Sequence, residues 1–337
     1  MKIVVDAYIP YVDALSNVAD VVVLKPEDIT PEAVRDADAL LVRTRTRCNE
    51  ALLGDSKVQF IGTATIGRDH FDSDWCKKAG ICAVNAPGCN APAVAQYVFS
   101  TLMRVINRPI RNHTIGVVGV GNVGRIVERW ARAMDMKVML CDPPRQRAES
   151  GDRWSTLEEI AENADIITFH TPLTAEGPDA TYHLADGAFF KSLHRAPIII
   201  NAARGPVVDT FAWIEALKCG QCGAAIVDCW EGEPKINEEL LALAKIATPH
   251  IAGYSRQGKM RASQMVVDSL CEHFAMPKLA LFDETLPAEV RSITPCIALN
   301  GYNPLIDDAA LRNNPTSLEQ LRDNYHLREE LPEAFSV

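Results

Sequence analysis

Three side chains, far apart along the chain, together supply what oxidation of a 2-hydroxy acid requires. Arg204 stands in Asn201-Ala-Ala-Arg-Gly-Pro, Glu233 in Trp230-Glu-Gly-Glu-Pro and His250 in Thr248-Pro-His-Ile-Ala-Gly. A guanidinium grips a carboxylate through two parallel hydrogen bonds. An imidazole takes the hydroxyl proton, and a carboxylate beside it orients the ring and stabilises its charge. Each of the three follows an apolar run that reads as a strand: Ile198–Ile200, Ala224–Val227 and, more weakly, Leu243–Ala247. Catalytic groups of open α/β sheets stand at the carboxyl ends of strands, so one sheet edge can hold all three.

A second chemical run is Arg43-Thr-Arg45-Thr-Arg47. If it is extended, alternate residues share a face, which gathers three guanidiniums or two hydroxyls at a strand end. Donors of that kind suit a phosphorylated substrate, with Arg43 and Thr44 as the candidates for its phosphate. A solvated basic edge strand accounts for the same residues equally well. Cys219-Gly-Gln-Cys222 has the spacing of a redox motif, but no second Cys or His pair accompanies it, so it reads as structural. No spacing of histidines and carboxylates suggests a metal site.

Gly119-Val-Gly121-Asn-Val-Gly124 follows an apolar strand, Thr114–Val118, and opens a helical stretch, Asn122–Met134. A glycine pattern alone is weak evidence. Here a second strand, Lys137–Cys141, ends at Asp142, a carboxylate about 20 residues past the glycines, as a dinucleotide site needs. Gly121 lets the backbone approach a pyrophosphate, whose charge the helix amino terminus meets. Asp142 can accept from the ribose hydroxyls and repels a 2′-phosphate, which favours NAD over NADP. Arg145 and Arg147 pull the other way.

These residues need elements to hold them. Ile3–Val5, Val21–Leu24, Ala39–Val42, Phe60–Gly62 and Ile81–Val84 read as strands separated by amphipathic stretches, the pattern of a parallel sheet. A long helix follows over Ala91–Ile106, and a second α/β series starts at Thr114. An amphipathic helix over Gln257–Phe274 belongs with the first series, which is therefore discontinuous. From Pro277 the pattern weakens, punctuated by Pro287, Pro295, Pro304, Pro315 and Pro332. The expected architecture is α/β. It has two Rossmann-like doubly wound parallel-sheet domains, a discontinuous substrate domain over 1–90 and 254–276 and an NAD-binding domain over 91–253. A short C-terminal module, over 277–337, completes it.

The bulk composition fits. Of 337 residues, 47% are apolar and 23% charged, as in ordinary globular proteins. A net charge of −10 argues against nucleic acid or an anionic membrane as partner. Ten cysteines without a regular framework, and no secretory or spanning segment, point to the cytoplasm.

The glycine motif, the Arg-Gly after a strand, the Glu-Pro and the Pro-His-Ile-Ala-Gly together resemble the D-isomer-specific 2-hydroxyacid dehydrogenases. Further likeness lies in Gly62-Thr-Ala-Thr-Ile-Gly-Arg-Asp-His, Ala86-Pro-Gly-Cys-Asn-Ala, Leu140-Cys-Asp-Pro-Pro-Arg, Asp228-Cys-Trp-Glu-Gly-Glu-Pro and His250-Ile-Ala-Gly-Tyr, and it covers residues 1 to about 275 densely. The resemblance implies Arg204, Glu233 and His250 as the catalytic set. It implies cofactor contacts at Asn122, Val123, Asp142, Thr171, Ala202, Ala203, Arg204, Asp228 and Gly253, beside Gly119, Gly121 and Gly124. Substrate contacts are implied at Thr44, Thr65 and Tyr254. The implied reaction oxidises a small phosphorylated 2-hydroxy acid, 4-phospho-D-erythronate, with NAD, in a homodimer. Another 2-hydroxy acid, such as 3-phosphoglycerate, or an NAD-sensing binding protein without turnover, fits the same residues.

Overall fold

The computed structural model describes residues 1–149, 151–283, 286, 290 and 292–331. The chain forms two compact units, Met1–Asn90 with Ser255–Pro287 and Ala91–Tyr254 with Ala288–Val337.

The first unit holds a five-stranded sheet of order β2-β1-β3-β4-β5. Its strands are β1 (Lys2–Asp6), β2 (Asp20–Leu24), β3 (Ala39–Val42), β4 (Phe60–Thr63) and β5 (Cys82–Val84). All pairs are parallel. Successive side chains in a strand point to opposite faces, and both faces are covered here. Ile3, Val5, Leu41 and Phe60 pack on Val266, Val267 and Leu270 of the helix Arg256–His273. Val4, Leu40, Val42 and Ile61 pack on Val34, Leu52, Leu53 and Phe71 on the other face. Continuous apolar runs follow from this two-sided burial.

The second unit holds a six-stranded parallel sheet of order β11-β10-β9-β8-β6-β7. Its strands are β6 (Thr114–Val118), β7 (Lys137–Cys141), β8 (Ile166–Phe169), β9 (Ile198–Asn201), β10 (Ala224–Val227) and β11 (Ile246–Ala247). Ile115, Val117, Ile166, Ile200 and Ile226 pack with the helices Ala91–Val105 and Gly124–Ala133, while Val118, Ile167, Phe169, Ile199 and Val227 face a second cluster. Both sheets reverse strand order beside their first strand, between β1 and β3 and between β6 and β8. Ligands of open α/β sheets bind at such switch points.

Two expectations change. The run Arg43–Arg47 is not extended: β3 stops at Val42, and the chain turns, with Thr46 N–H donating to Arg43 O at 3.4 Å. The reason is local. The Arg43 N–H goes to the Asp6 carboxylate at 3.2 Å instead of continuing the ladder, so the alternating face never forms. The cofactor helix begins at Gly124 rather than Asn122, because Gly121–Val123 are spent in the turn.

The stretch expected as a module of its own divides between the units, with residues from 288 onward joining the second. Two of its prolines are helix starts, while Pro277 and Pro315 lie outside the helices. Pro295 opens Pro295–Gly301 behind the Thr294 cap, and Pro304 opens Pro304–Asn313 behind Asn303; a shorter helix, Leu318–Asp323, follows. Pro287 and Pro332 lie outside the described residues. Ser100 Oγ donates to Ala298 O at 2.7 Å, and Asp308 accepts the β11 N–H of Ala247 at 2.7 Å, covering an edge strand. Among the described residues no helix is long and apolar enough to cross a membrane.

Candidate active site

The carboxyl ends of β9, β10 and β11 carry Arg204, Glu233 and His250. After β9, the Asn201 side chain donates to Arg204 O at 2.9 Å and accepts from Ala203 N–H at 3.2 Å, which shapes the turn. A Cβ at Gly205 would lie 2.0 Å from Trp230 O, so only glycine lets this turn meet the β10 loop. Arg204 Nη1 donates to Ala203 O at 2.8 Å.

After β11, the chain turns tightly through His250, whose φ is +57°. A non-glycine residue there is strained, and the surroundings must hold it. Asp228 does so. One of its oxygens accepts from Thr248 Oγ1 at 2.6 Å and Ile251 N–H at 2.8 Å, and the other from Ala252 N–H at 2.9 Å. Burial raises the Asp228 carboxyl, against the pull of His250 and these donors. The imidazole that this turn presents bonds through Nδ1 to Glu233, at 2.8 and 3.0 Å to the two oxygens. Nε2 is then the nitrogen left for a substrate. Trp230 N–H donates to Glu233 Oε1 at 2.8 Å, and Trp230 Nε1 ties the β10 loop to Thr248 O at 2.9 Å. Burial would push the Glu233 carboxyl up, but His250, this N–H and Arg322 hold it below the ordinary range. Arg204 and Glu233 both act on the buried Cys229 thiol, which burial pushes well above its ordinary value.

Arg322, on the helix Leu318–Asp323, was not singled out in the sequence. Its Nη1 lies 4.0 Å from Glu233 Oε2, and its guanidinium carbon 6.0 Å from the Tyr254 ring centre. Nothing local marks its role: Leu318-Glu-Gln-Leu-Arg-Asp resembles the family's final helix in sequence but carries no chemical motif. Arg328 was missed for the same reason. It donates to Ile251 O at 2.9 Å and Tyr254 O at 3.1 Å, and so clamps the segment that follows His250.

At the switch point between β6 and β8, Gly119 has φ +86°, and a Cβ on it would lie 2.8 Å from Thr171 N. At Gly124 a Cβ would strike Gly119 O at 2.1 Å, whereas at Gly121 nothing lies within 4 Å. Open space above Gly121 is what close approach of a pyrophosphate needs. Asn122 and Val123 complete the turn. Asp142 stands at the end of β7, accepting Val120 N–H at 2.8 Å and Arg145 N–H at 3.0 Å. Opposite, after β8, Thr171 Oγ1 and His170 Nδ1 are buried without a hydrogen-bond partner, as in a cradle whose donors await a ligand. Burial pushes the His170 imidazole down to about 3, so it is neutral. These residues fit a dinucleotide. Arg145 and Arg147, which pulled toward NADP, are ion-paired with Glu149 and Asp179. Ala202 and Ala203 follow β9, and Gly253 follows the His250 turn.

In the first unit, Arg43 and Thr44 follow β3 at its switch point, and Thr65 follows β4. Arg43 Nη1 donates to Tyr8 O at 3.4 Å, while its buried Nε has no hydrogen-bond partner. Thr44 is exposed, and Thr65 Oγ1 bonds Thr63 Oγ1 at 2.7 Å and Gly67 O at 2.9 Å. Among the described residues no group of side chains is arranged to hold a metal ion.

A profile of the D-isomer specific 2-hydroxyacid dehydrogenase NAD-binding domain matches residues 94–252. Erythronate-4-phosphate dehydrogenase of Bacteroides thetaiotaomicron is 48% identical over 98% of this chain and 97% of its own length. The enzyme of that name from Shigella flexneri serotype 5b is 42% identical over 100% of this chain and 94% of its own. Among solved structures, D-lactate dehydrogenase of Aquifex aeolicus, complexed with NAD and lactic acid, superposes with a TM-score of 0.68. It is 24% identical and covers 82% of this chain and 95% of that one, a likeness of fold. The chain belongs to the erythronate-4-phosphate dehydrogenases, within the D-isomer-specific 2-hydroxyacid dehydrogenase family.

Proposed function

We propose that this chain oxidises 4-phospho-D-erythronate at C2, with NAD, to 2-oxo-3-hydroxy-4-phosphobutanoate, a step of pyridoxal 5′-phosphate (vitamin B6) biosynthesis. Relatives that bear the name of this activity match it over nearly the whole length. The observation that carries the mechanism is the Glu233–His250 pair at 2.8 Å, on the sheet edge that also holds Arg204.

Arg204 grips the α-carboxylate and lies near the C2 oxygen. His250 Nε2 takes the hydroxyl proton, and Glu233 stabilises the imidazolium that forms. NAD held at the glycine turn would supply the hydride acceptor for C2. In the reverse direction the same imidazolium returns the proton. Gly119, Gly121, Asn122, Val123, Gly124, Asp142, Thr171, Ala202, Ala203, Arg204, Asp228 and Gly253 form the cofactor-binding set. Arg43, Thr44, Thr65 and Tyr254 bind the substrate, with Arg43 and Thr44 reading the 4-phosphate. The protein works as a homodimer through its C-terminal helices, where Leu305 and Ile306 are exposed apolar side chains. Among the described residues no cysteine is in a disulfide, which suits the reducing cytoplasm.

The test is turnover followed by NADH fluorescence with 4-phosphoerythronate, erythronate and 3-phosphoglycerate side by side. Turnover of the first alone is expected. Equal rates on erythronate would remove the phosphate-reading role, and preference for 3-phosphoglycerate would replace the substrate. NADH binding without turnover of any of the three would overturn the enzymatic reading.

A further inference from the structure

The helix Leu318–Asp323 is anchored by Leu318, which is fully buried, and by Leu321, which packs in the same apolar cluster. That anchoring brings Arg322 behind the catalytic pair. Its guanidinium is mostly buried, with 22% of the side chain exposed, and its Nε has no hydrogen-bond partner. A buried cation is costly unless something nearby balances it. The balance here is Glu233, whose Oε2 faces Arg322 Nη1 at 4.0 Å, together with the electron-rich face of Tyr254.

Glu233 is already saturated on its other side. Oε1 takes the Trp230 N–H, and both oxygens meet His250 Nδ1. Charge counting then distinguishes the two states of the imidazole. With His250 protonated, Glu233 is balanced by the ring itself. With His250 neutral, which is the state that must accept the substrate's proton, the buried carboxylate lacks a partner charge unless Arg322 supplies it. We infer that Arg322 is a positioning residue for the Glu233–His250 pair, the fixed counter-charge that stabilises the carboxylate while the imidazole is neutral and ready to accept a proton.

The other charged or titratable groups around the pair come from different elements. Arg204 follows β9, Asp228 and Cys229 follow β10, and Tyr254 ends the loop after β11. Asp228 is committed to the His250 turn and Cys229 is a buried thiol, so neither balances Glu233. Arg204 is the cation that the proposed reaction occupies with substrate carboxylate. Arg322 is then the cation left for the carboxylate behind the ring. It also acts on Glu233 in the direction that keeps the carboxyl ionised.

The inference rests on the reading of His250 as proton acceptor. The test therefore uses His250→Ala beside Arg322→Gln and Arg322→Lys, in the full-length holoenzyme, with 4-phosphoerythronate and NAD. Removing the cation leaves the negative field of Glu233 on the ring uncompensated. The acid limb of the kcat/KM profile for oxidation should therefore move up in Arg322→Gln, by about half to one pH unit. Arg322→Lys should return the limb toward wild type, with NADH affinity within about twofold in both variants. An acid limb that stays in place in Arg322→Gln overturns the inference. So does a loss confined to substrate KM at every pH, which would make Arg322 an anion-binding residue instead. Should Arg322→Gln not fold, Arg322→Met takes its place as the charge-removing variant: an acid limb moved up by about half to one pH unit supports the inference, and a limb that stays in place overturns it. Full activity in His250→Ala would instead sink the proton-transfer reading on which the inference stands.

Discussion

At the scale of single residues, the site is a chain of charges in which each member fixes the next. His250 depends on Glu233 for its orientation and on Asp228 for the strained turn that presents it. His250→Ala should lower turnover by about 10²–10⁴, because a positioned acid–base group contributes that much. NADH affinity should stay within about twofold. Turnover near wild type in that variant would remove His250 from the mechanism. Glu233 also links the site to stability. Its folded-state carboxyl is depressed below the ordinary 4.5, so its contribution is present above that value. The contribution is lost as pH falls through the depressed value. Melting temperatures taken from about pH 7 down to about pH 3 should therefore fall less steeply for Glu233→Gln than for wild type. Parallel curves would mean that Glu233 is not coupled to folding in this way.

At the scale of elements, the candidate site residues sit in the turns that leave the strands, and each turn has its own local cause. The β9 turn is drawn by the Asn201 side chain, the His250 turn by Asp228, and the glycine turn by the closeness of Gly119 to Thr171. The glycines are not equivalent. Gly124 and Gly205 have no room for a methyl group, whereas Gly121 has nothing within 4 Å. Gly121→Ala should thus leave the melting temperature nearly unchanged. It should weaken NADH binding by about tenfold or more, because the methyl group enters the space through which a pyrophosphate approaches. A fluorescence titration beside a thermal melt separates the two effects. Unaltered NADH affinity would move the pyrophosphate away from this turn.

At the scale of the whole molecule, two parallel sheets of the same winding each end in turns that carry candidate site residues. The C-terminal helices complete the second unit rather than standing apart. They cover its edge strand through Asp308, clamp the segment after His250 through Arg328 and place Arg322 behind Glu233. They also leave Leu305 and Ile306 exposed, at 48% and 67%. If the homodimer forms there, Ile306→Glu should shift the protein to monomer in light scattering without lowering the melting temperature of the monomer. A dimer that survives this change, and Leu305→Glu as well, would place the interface elsewhere.

The sequence by itself determined the α/β class, most strand positions, the dinucleotide turn and the Arg204, Glu233 and His250 candidates. Those features are local. Apolar runs of strand length, glycines at fixed offsets and a carboxylate at the next strand's end all follow from short-range geometry. Only the tertiary structure decided that the Arg43–Arg47 run turns instead of extending, since the Asp6 carboxylate that ends β3 comes from another strand. It alone brought Asp228 under the His250 turn and Arg322 behind Glu233, 89 positions further along the chain. An arginine between a leucine and an aspartate on a short helix has no local signature of a counter-charge. The strand order and the packing of Leu318 select its partner, and neither can be read from the residues beside it.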